Sequence, residues 1–394
     1  AADGSGNILL DAAGALALNA DVSSGSGNIT LIGTSGVSLA SSVTAQTAGT
    51  GTIDVSSLEG GLTMATDSSI TALDGDVVVE TSADVRVAGI TTNADVSLTS
   101  TAGSILDNQA DRINVSASSL RFDANAGFGA SSNAFDTQVG TVAGRTIDGA
   151  VFLQDSADDL IIGSTQASSE VVAADSSITV NAVAPLSGIV SGGADASIVV
   201  TQTTGSLTVD SAAPVSAAGS GNILLDAAGA LALNADVSSA SGNITFSALD
   251  DISLAPAIEV STGLTGQIYV NTDGALIASA DSRFVTSIED IAITADDDIT
   301  LGGVLTEGRV SIISQDGYVR GASSTAFDVE VSASQLLITA ANGVGSLAGT
   351  PPSVELRTQV GRLAAMAGSG GINIVNTVGP VSYTHLTLPT TKNV

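Results

Sequence analysis

GSGNILLDAAGALALNADVSSGSGNIT, residues 4–30, returns at residues 219–245 with one change, Gly25 against Ala240. The long repeat therefore sets Gly219 where Gly4 stood. Beyond the two copies the likeness fades but stays traceable. GVSLASSV from Gly36 matches DISLAPAI from Asp251, and TQVG at Thr137 recurs at Thr358. The chain thus reads as one repeat unit over 1–218 and an incomplete second over 219–380, continuous with the first. Near-identity in one block beside drift elsewhere fits either recent duplication or recombination within a longer array.

A shorter period runs inside each unit. GNI occurs at Gly6 and Gly27, and again at Gly221 and Gly242, so the interval is the same in both copies. Alternating apolar pairs start at Ile8, Leu16, Val22, Ile29, Val37 and Val43, and keep that rhythm to Ile113 and Leu120. Period-2 alternation over four to six residues rich in Val, Ile, Leu and Thr is strand chemistry. Gly, Asn, Asp and Ser between the pairs supply the turns. No stretch holds a 3.6-residue period with caps, so no helix is expected.

Three short strands per turn of about 22 residues are the pattern of an all-β solenoid. A single turn cannot bury its inner face, but turns stacked 4.7–4.9 Å apart pair every strand and close a narrow core. At that period the chain makes roughly 17 turns, a rod roughly 80 Å long. Asn7, Asn28, Asn222 and Asn243 would stack at one corner as an amide ladder, with Asp21 and Asp236 at another. Plain turn preference explains the same residues, and the two readings are compatible. A row of immunoglobulin-like sandwiches is the rival, but it would carry a buried Trp or a Tyr corner and a repeat near 100 residues. Trp is absent here.

Composition agrees. The 394 residues are 44% hydrophobic, which is enough to bury a continuous core, but only 3% aromatic. Such aromatic poverty argues against a compact enzyme with an aromatic-lined cleft. Forty acidic side chains against ten basic ones give a net charge of −30. Nucleic acid and anionic membrane are therefore excluded as expected partners. No apolar run approaches the length of a membrane span. The absence of Cys removes disulfides and Cys-ligated metals.

The two ends differ from the middle. The chain opens at Ala1 without Met, which suggests a removed leader or a fragment. The lone His (His385) and lone Lys (Lys392) both fall in VSYTHLTLPTTKNV, residues 381–394. This stretch resembles the translation of a transposon-type sequencing adapter, so 381–394 is expected to be a non-native tail. The other reading is a genuine edge strand followed by a Pro-Thr segment.

The pattern GSGNILLDAAGALALNADVSSGSGNITL, with DDISLA at Asp250, resembles the β-strand repeats of filamentous-haemagglutinin-like and other large bacterial surface proteins. The resemblance covers nearly all of residues 1–380 and is one of repeat texture. It implies a right-handed parallel β-helix, secreted or held on a bacterial cell surface, that serves as an adhesin or as the stalk of one.

Few residue groups could carry chemistry. Carboxylates cluster at Asp155, Asp158 and Asp159, at Asp250 and Asp251, at Glu289 and Asp290, and at Asp296, Asp297 and Asp298. Most precede a strand, where Asp suits a turn. Arg112 with Arg121, and Arg309 with Arg320, could flank each other on adjacent strands, although local pairing with acids is the simpler role. With His385 the sole His, no His-based triad or His-ligated metal site is expected. Calcium is the ion that hard oxygen ligands would suit, but the Gly-Gly-x-Gly-x-Asp nonapeptide has no match. GSGNI lacks the Lys and the helix of a phosphate loop. No catalytic, cofactor-binding or metal-ligating residue is therefore assigned.

The function expected is a structural or adhesive stalk segment without enzyme activity, contacting an extracellular surface, glycan or cell-surface ligand. A carbohydrate-active β-helix, of lyase or hydrolase type, is the alternative. Its site would lie on a rhythm-breaking loop such as Asn125 to Arg145.

Overall fold

The computed structural model describes residues 1–2, 4–109, 112–322, 329–345, 355–378 and 382–385. No helix occurs among them. Short parallel strands stack turn upon turn as a β-solenoid of about 14 turns with a spacing of about 24 residues. The step from turn to turn is short at Val77 to Val96 and long at Leu336 to Leu363. The period read from the sequence is thus an underestimate, and the turn count built on it is too high. The GN repeat belongs to tight turns, and other turns take up extra residues at their corners.

The strands begin where the apolar pairs place them. Ile8–Ala12, Leu16–Leu18 and Val22–Ser24 form one turn, and Ile29–Gly33, Val37–Leu39 and Thr44–Thr47 the next. Ile113 and Leu120 depart from this. Neither opens a strand, because the third side of one turn and the first side of the next merge into Val115–Ala124. Phe135–Thr146, Val331–Ala340 and Leu356–Ala367 are long for the same reason.

Two compact units are present. The first comprises Ala1–Gly205 with Ala212–Pro214, the second Ser206–Ser211 with Val215–Val394. In the first unit Ile29, Ile53, Val77, Val96, Leu120 and Val142 stack in register and are fully buried. Ile244, Ile268, Ile291, Val310, Leu336 and Leu363 are their counterparts in the second. Burying one such side chain stabilises the fold by about 1.5–3 kcal/mol. The narrow core still admits Phe122, Phe128, Phe135, Phe246 and Phe284, all fully buried.

Stacking explains the GN corner. A Cβ on Gly27 would lie 2.3 Å from the carbonyl oxygen of Gly6, one turn away, and one on Gly242 would lie 2.1 Å from that of Gly221. Only glycine fits there. Buried hydroxyls then satisfy those carbonyls: Ser24 Oγ donates to Gly6 O (2.7 Å) and Ser239 Oγ to Gly221 O (2.8 Å). Thr47 and Thr262 repeat the bond one turn on.

Asn125 to Arg145 is not a free loop, since much of it is the strand Phe135–Thr146. The excursion lies later. Ser168–Val172 and Ile178–Ala182 form an antiparallel hairpin that leaves the parallel stack. Of the proposed tail, Ser382–His385 forms a strand in register with Arg362–Ala365. Val381 and residues 386–394, Lys392 among them, lie outside the described residues.

Candidate functional site

Asn7, Asn28, Asn222, Asn243, Asp21, Asp236, Asp251, Asp290 and Asp298 sit at corners, where their side-chain oxygens bind the next turn. Asn7 Oδ1 accepts the Asn28 N–H (2.9 Å), and Asn28 Oδ1 accepts that of Thr52 (3.0 Å). Asn222 and Asn243 do the same for Asn243 and Gln267. The ladder is thus built of side-chain oxygen and backbone N–H, not of amide on amide. Asp21 accepts from Thr44 and Asp236 from Glu259 at a second corner. Asp251, Asp290 and Asp298 accept from Ala275, Arg309 and Tyr318.

Asp155 is fully buried, with Oδ1 accepting from Thr137 Oγ1 (2.7 Å) and the Val139 N–H (3.0 Å). Burial raises its pKa above the ordinary carboxylate value, against the opposing pull of those bonds. The second unit places Asn376 in this role, accepting from Thr358 Oγ1 and the Val360 N–H. Among the described residues no three Asp, Glu or His side chains are placed to hold a metal ion.

The arginines pair locally. Arg112 meets Asp67 (2.6 Å), Arg121 meets Asp123 (3.2 Å), Arg309 meets Asp290 (3.4 Å) and Arg320 meets Asp298 (3.5 Å). The two proposed arginine pairs therefore do not form. Arg309 lies in register with Gln335, and Arg320 with Thr300. Among the described residues, Arg362 is the arginine without an acidic partner.

The geometry that stands out is one sheet face seen twice. In the first unit the hairpin lies flat on the outer side of the strands that carry Thr30, Asp54, Val78 and Arg121. All four point outward, yet none exceeds 4% exposure. Backbone N–H groups of alternate hairpin residues donate to the face: Ser168 to Asp76 Oδ2 (2.8 Å), Glu170 to Thr52 Oγ1 (2.8 Å) and Val172 to Thr30 Oγ1 (2.9 Å). Asn28 Nδ2 donates to Glu170 Oε2 (2.6 Å) and Ser169 Oγ to Asp54 Oδ2 (2.7 Å). Arg121 Nε reaches the Ala184 carbonyl (2.8 Å), and Val78 packs with Ala167 and Val183. Burial raises the pKa of Asp76, opposed by the N–H groups of Ser168 and Asp95. Burial likewise lowers that of Arg121, against the pull of Asp123.

In the second unit the same face is open. Tyr269 takes the place of Asp54 and is 39% exposed, and Leu337 takes that of Arg121 and is 49% exposed. A groove of about 770 Å³ runs across it, with Gln267, Tyr269, Asp290, Arg309, Gln335 and Arg362 in its lining. Arg309, Gln335 and Arg362 share one column on successive turns, where the first unit has Asp95, Ser119 and Thr141. A second hollow of about 600 Å³ lies in the first unit between Arg112, Asp136, Thr137 and Gln154.

The covered face carried a signal in the sequence. VVVE at 77–80 breaks strict alternation, because Val78 points outward onto apolar cover. The partner was not legible, since Ser168–Ala182 lies far along the chain from the strands it covers. No family model, no curated protein and no solved structure matches this chain.

Proposed function

We propose that the chain is a structural and adhesive stalk segment of a large secreted or cell-surface bacterial repeat protein. It spaces or presents contact surfaces and catalyses no reaction of its own. The observation that carries this reading is the use of its polar corner residues: Asn, Asp, Ser and Thr are consumed in bonds from one turn to the next. A repeated, self-bonded stack suits load and length more than turnover. The open face then offers the contact surface, and an extracellular glycan or cell-surface ligand is the partner class. A carbohydrate-active β-helix has less support, since among the described residues the lining of each of these two hollows includes one carboxylate, Asp290 or Asp136, where acid–base cleavage of a glycosidic bond uses two.

The test couples attachment to turnover. Beads coated with the chain are expected to adhere to glycan-bearing surfaces while releasing no new reducing or unsaturated ends from a polysaccharide panel. Sustained release of such ends would overturn the stalk reading.

A further inference from the structure

We infer that the open face of the second unit is a docking site for an acidic β-hairpin of the kind that covers the first unit. The inference stands apart from the stalk reading, because it rests on comparing the two faces alone. The residues that grip the first hairpin have counterparts in register. Asn28 and Thr30 correspond to Asn243 and Thr245, and Thr52 and Asp76 to Gln267 and Asp290. These keep the hydrogen-bonding types: an amide donor for a carboxylate, and three oxygens for the N–H groups of alternate residues on one strand edge.

The differences favour a free-standing partner of the same chemistry. Where Asp54 and Arg121 make polar contacts with the hairpin, Tyr269 and Leu337 offer apolar area to an incoming strand pair. Where the first unit places Asp95 and Thr141, the second places Arg309 and Arg362. Arg362 stands five rungs along that column from Asn243, so it faces the Ser164 end of such a strand pair and not the place of the Glu170 carboxylate. In the first unit the Glu170 carboxylate accepts from Asn28 Nδ2, and Asn243 holds the place of Asn28. In the second unit Asn243 keeps its oxygen on the Gln267 N–H (2.9 Å), as Asn28 does on Thr52. Its amide nitrogen is oriented for the same donation. Recognition of this kind differs from strand addition at a sheet edge, because the hairpin lies on the face and its N–H groups meet side-chain oxygens.

The probe is a synthetic peptide of residues 164–187, closed by a disulfide between added terminal cysteines next to the Ser164–Ser187 register pair. It is fluorescently labelled and titrated against the full chain by anisotropy. Saturable binding is expected. Asn243→Asp keeps the corner rung but sets a carboxylate against Glu170, and should weaken binding by about tenfold or more. The peptide carrying Glu170→Gln should recover most of that loss on the Asn243→Asp chain. Asn7→Asp, at a rung of the first unit that no hairpin bond reaches, should leave binding unchanged. Absence of saturable binding would overturn the inference, as would loss of binding in Asn7→Asp instead of Asn243→Asp. So would failure of Glu170→Gln to rescue. If polygalacturonate oligomers occupy the groove and Arg362→Glu releases them, while the peptide does not bind, the occupant is an acidic polysaccharide and the hairpin assignment is wrong.

Discussion

Gly144 and Phe122 form a size-matched pair whose disturbance can be worked out from geometry. They lie in register on neighbouring turns, and a Cβ on Gly144 would stand 2.3 Å from the Phe122 ring. That ring has nowhere to swing. It is fully buried and stacks on Phe128 at 4.0 Å between centroids and 22° between planes, and Phe128 in turn meets Phe135 at 4.5 Å. The second unit solves the same position with a smaller residue over a larger one: Ile338 lies in register with Ala365. Gly144→Ala alone should therefore overpack the core and destabilise by about 1–3 kcal/mol. Phe122→Ile alone loses the stacked contact and leaves a partial void, costing about 2 kcal/mol. Together they reproduce the second unit's solution, so the double variant should be more stable than the sum of the two losses by about 1–2 kcal/mol. Urea unfolding gives the energies, and hydrogen exchange over residues 115–146 localises them. Simple additivity, or a Gly144→Ala variant as stable as wild type, would refute the packing argument.

Other expectations follow from single contacts. Asp155 holds its proton more tightly folded than unfolded, so its contribution is fully present below about pH 3.8 and is lost as pH rises through its raised folded pKa. The stability gap between Asp155→Asn and wild type should thus shift toward wild type between pH 7 and pH 3, measured by thermal unfolding. Thr30→Val removes the acceptor of the Val172 N–H, and exchange at that amide should quicken by about tenfold while the core strands are unaffected. Glu330 is buried and takes both the backbone N–H (2.6 Å) and the guanidinium (2.9 Å) of Arg357. Glu330→Ala should cost about 3 kcal/mol and Glu330→Gln clearly less, read from unfolding midpoints.

Much of the solenoid is visible in residue spacing because its strands are short, alternate cleanly and repeat. Ile8, Leu16, Val22 and Ile29 each open a strand. Corner residues were legible too: the duplicated Asn28 and Asn243 hold equivalent rungs. Two things escaped. Turn length drifts because corners absorb insertions without disturbing the inward columns, so a period taken from tight turns is short. The hairpin escaped because its bonds to Thr30, Thr52 and Asp76 join residues far apart in the chain, a kind of contact that local periodicity does not encode. The open groove of the second unit became apparent only by register, once Tyr269 and Leu337 were matched to Asp54 and Arg121.

One sheet face occurs twice, covered in the first unit and open in the second, and hydroxyl-radical footprinting of the full chain tests this directly. Tyr269 and Leu337 are predicted to be labelled readily and Val78 to be protected, with Val78 becoming reactive when residues 168–182 are replaced by a short Gly-Ser linker. Equal labelling of Val78 and Leu337 in the intact chain, or a Val78 signal unchanged by that replacement, would contradict it.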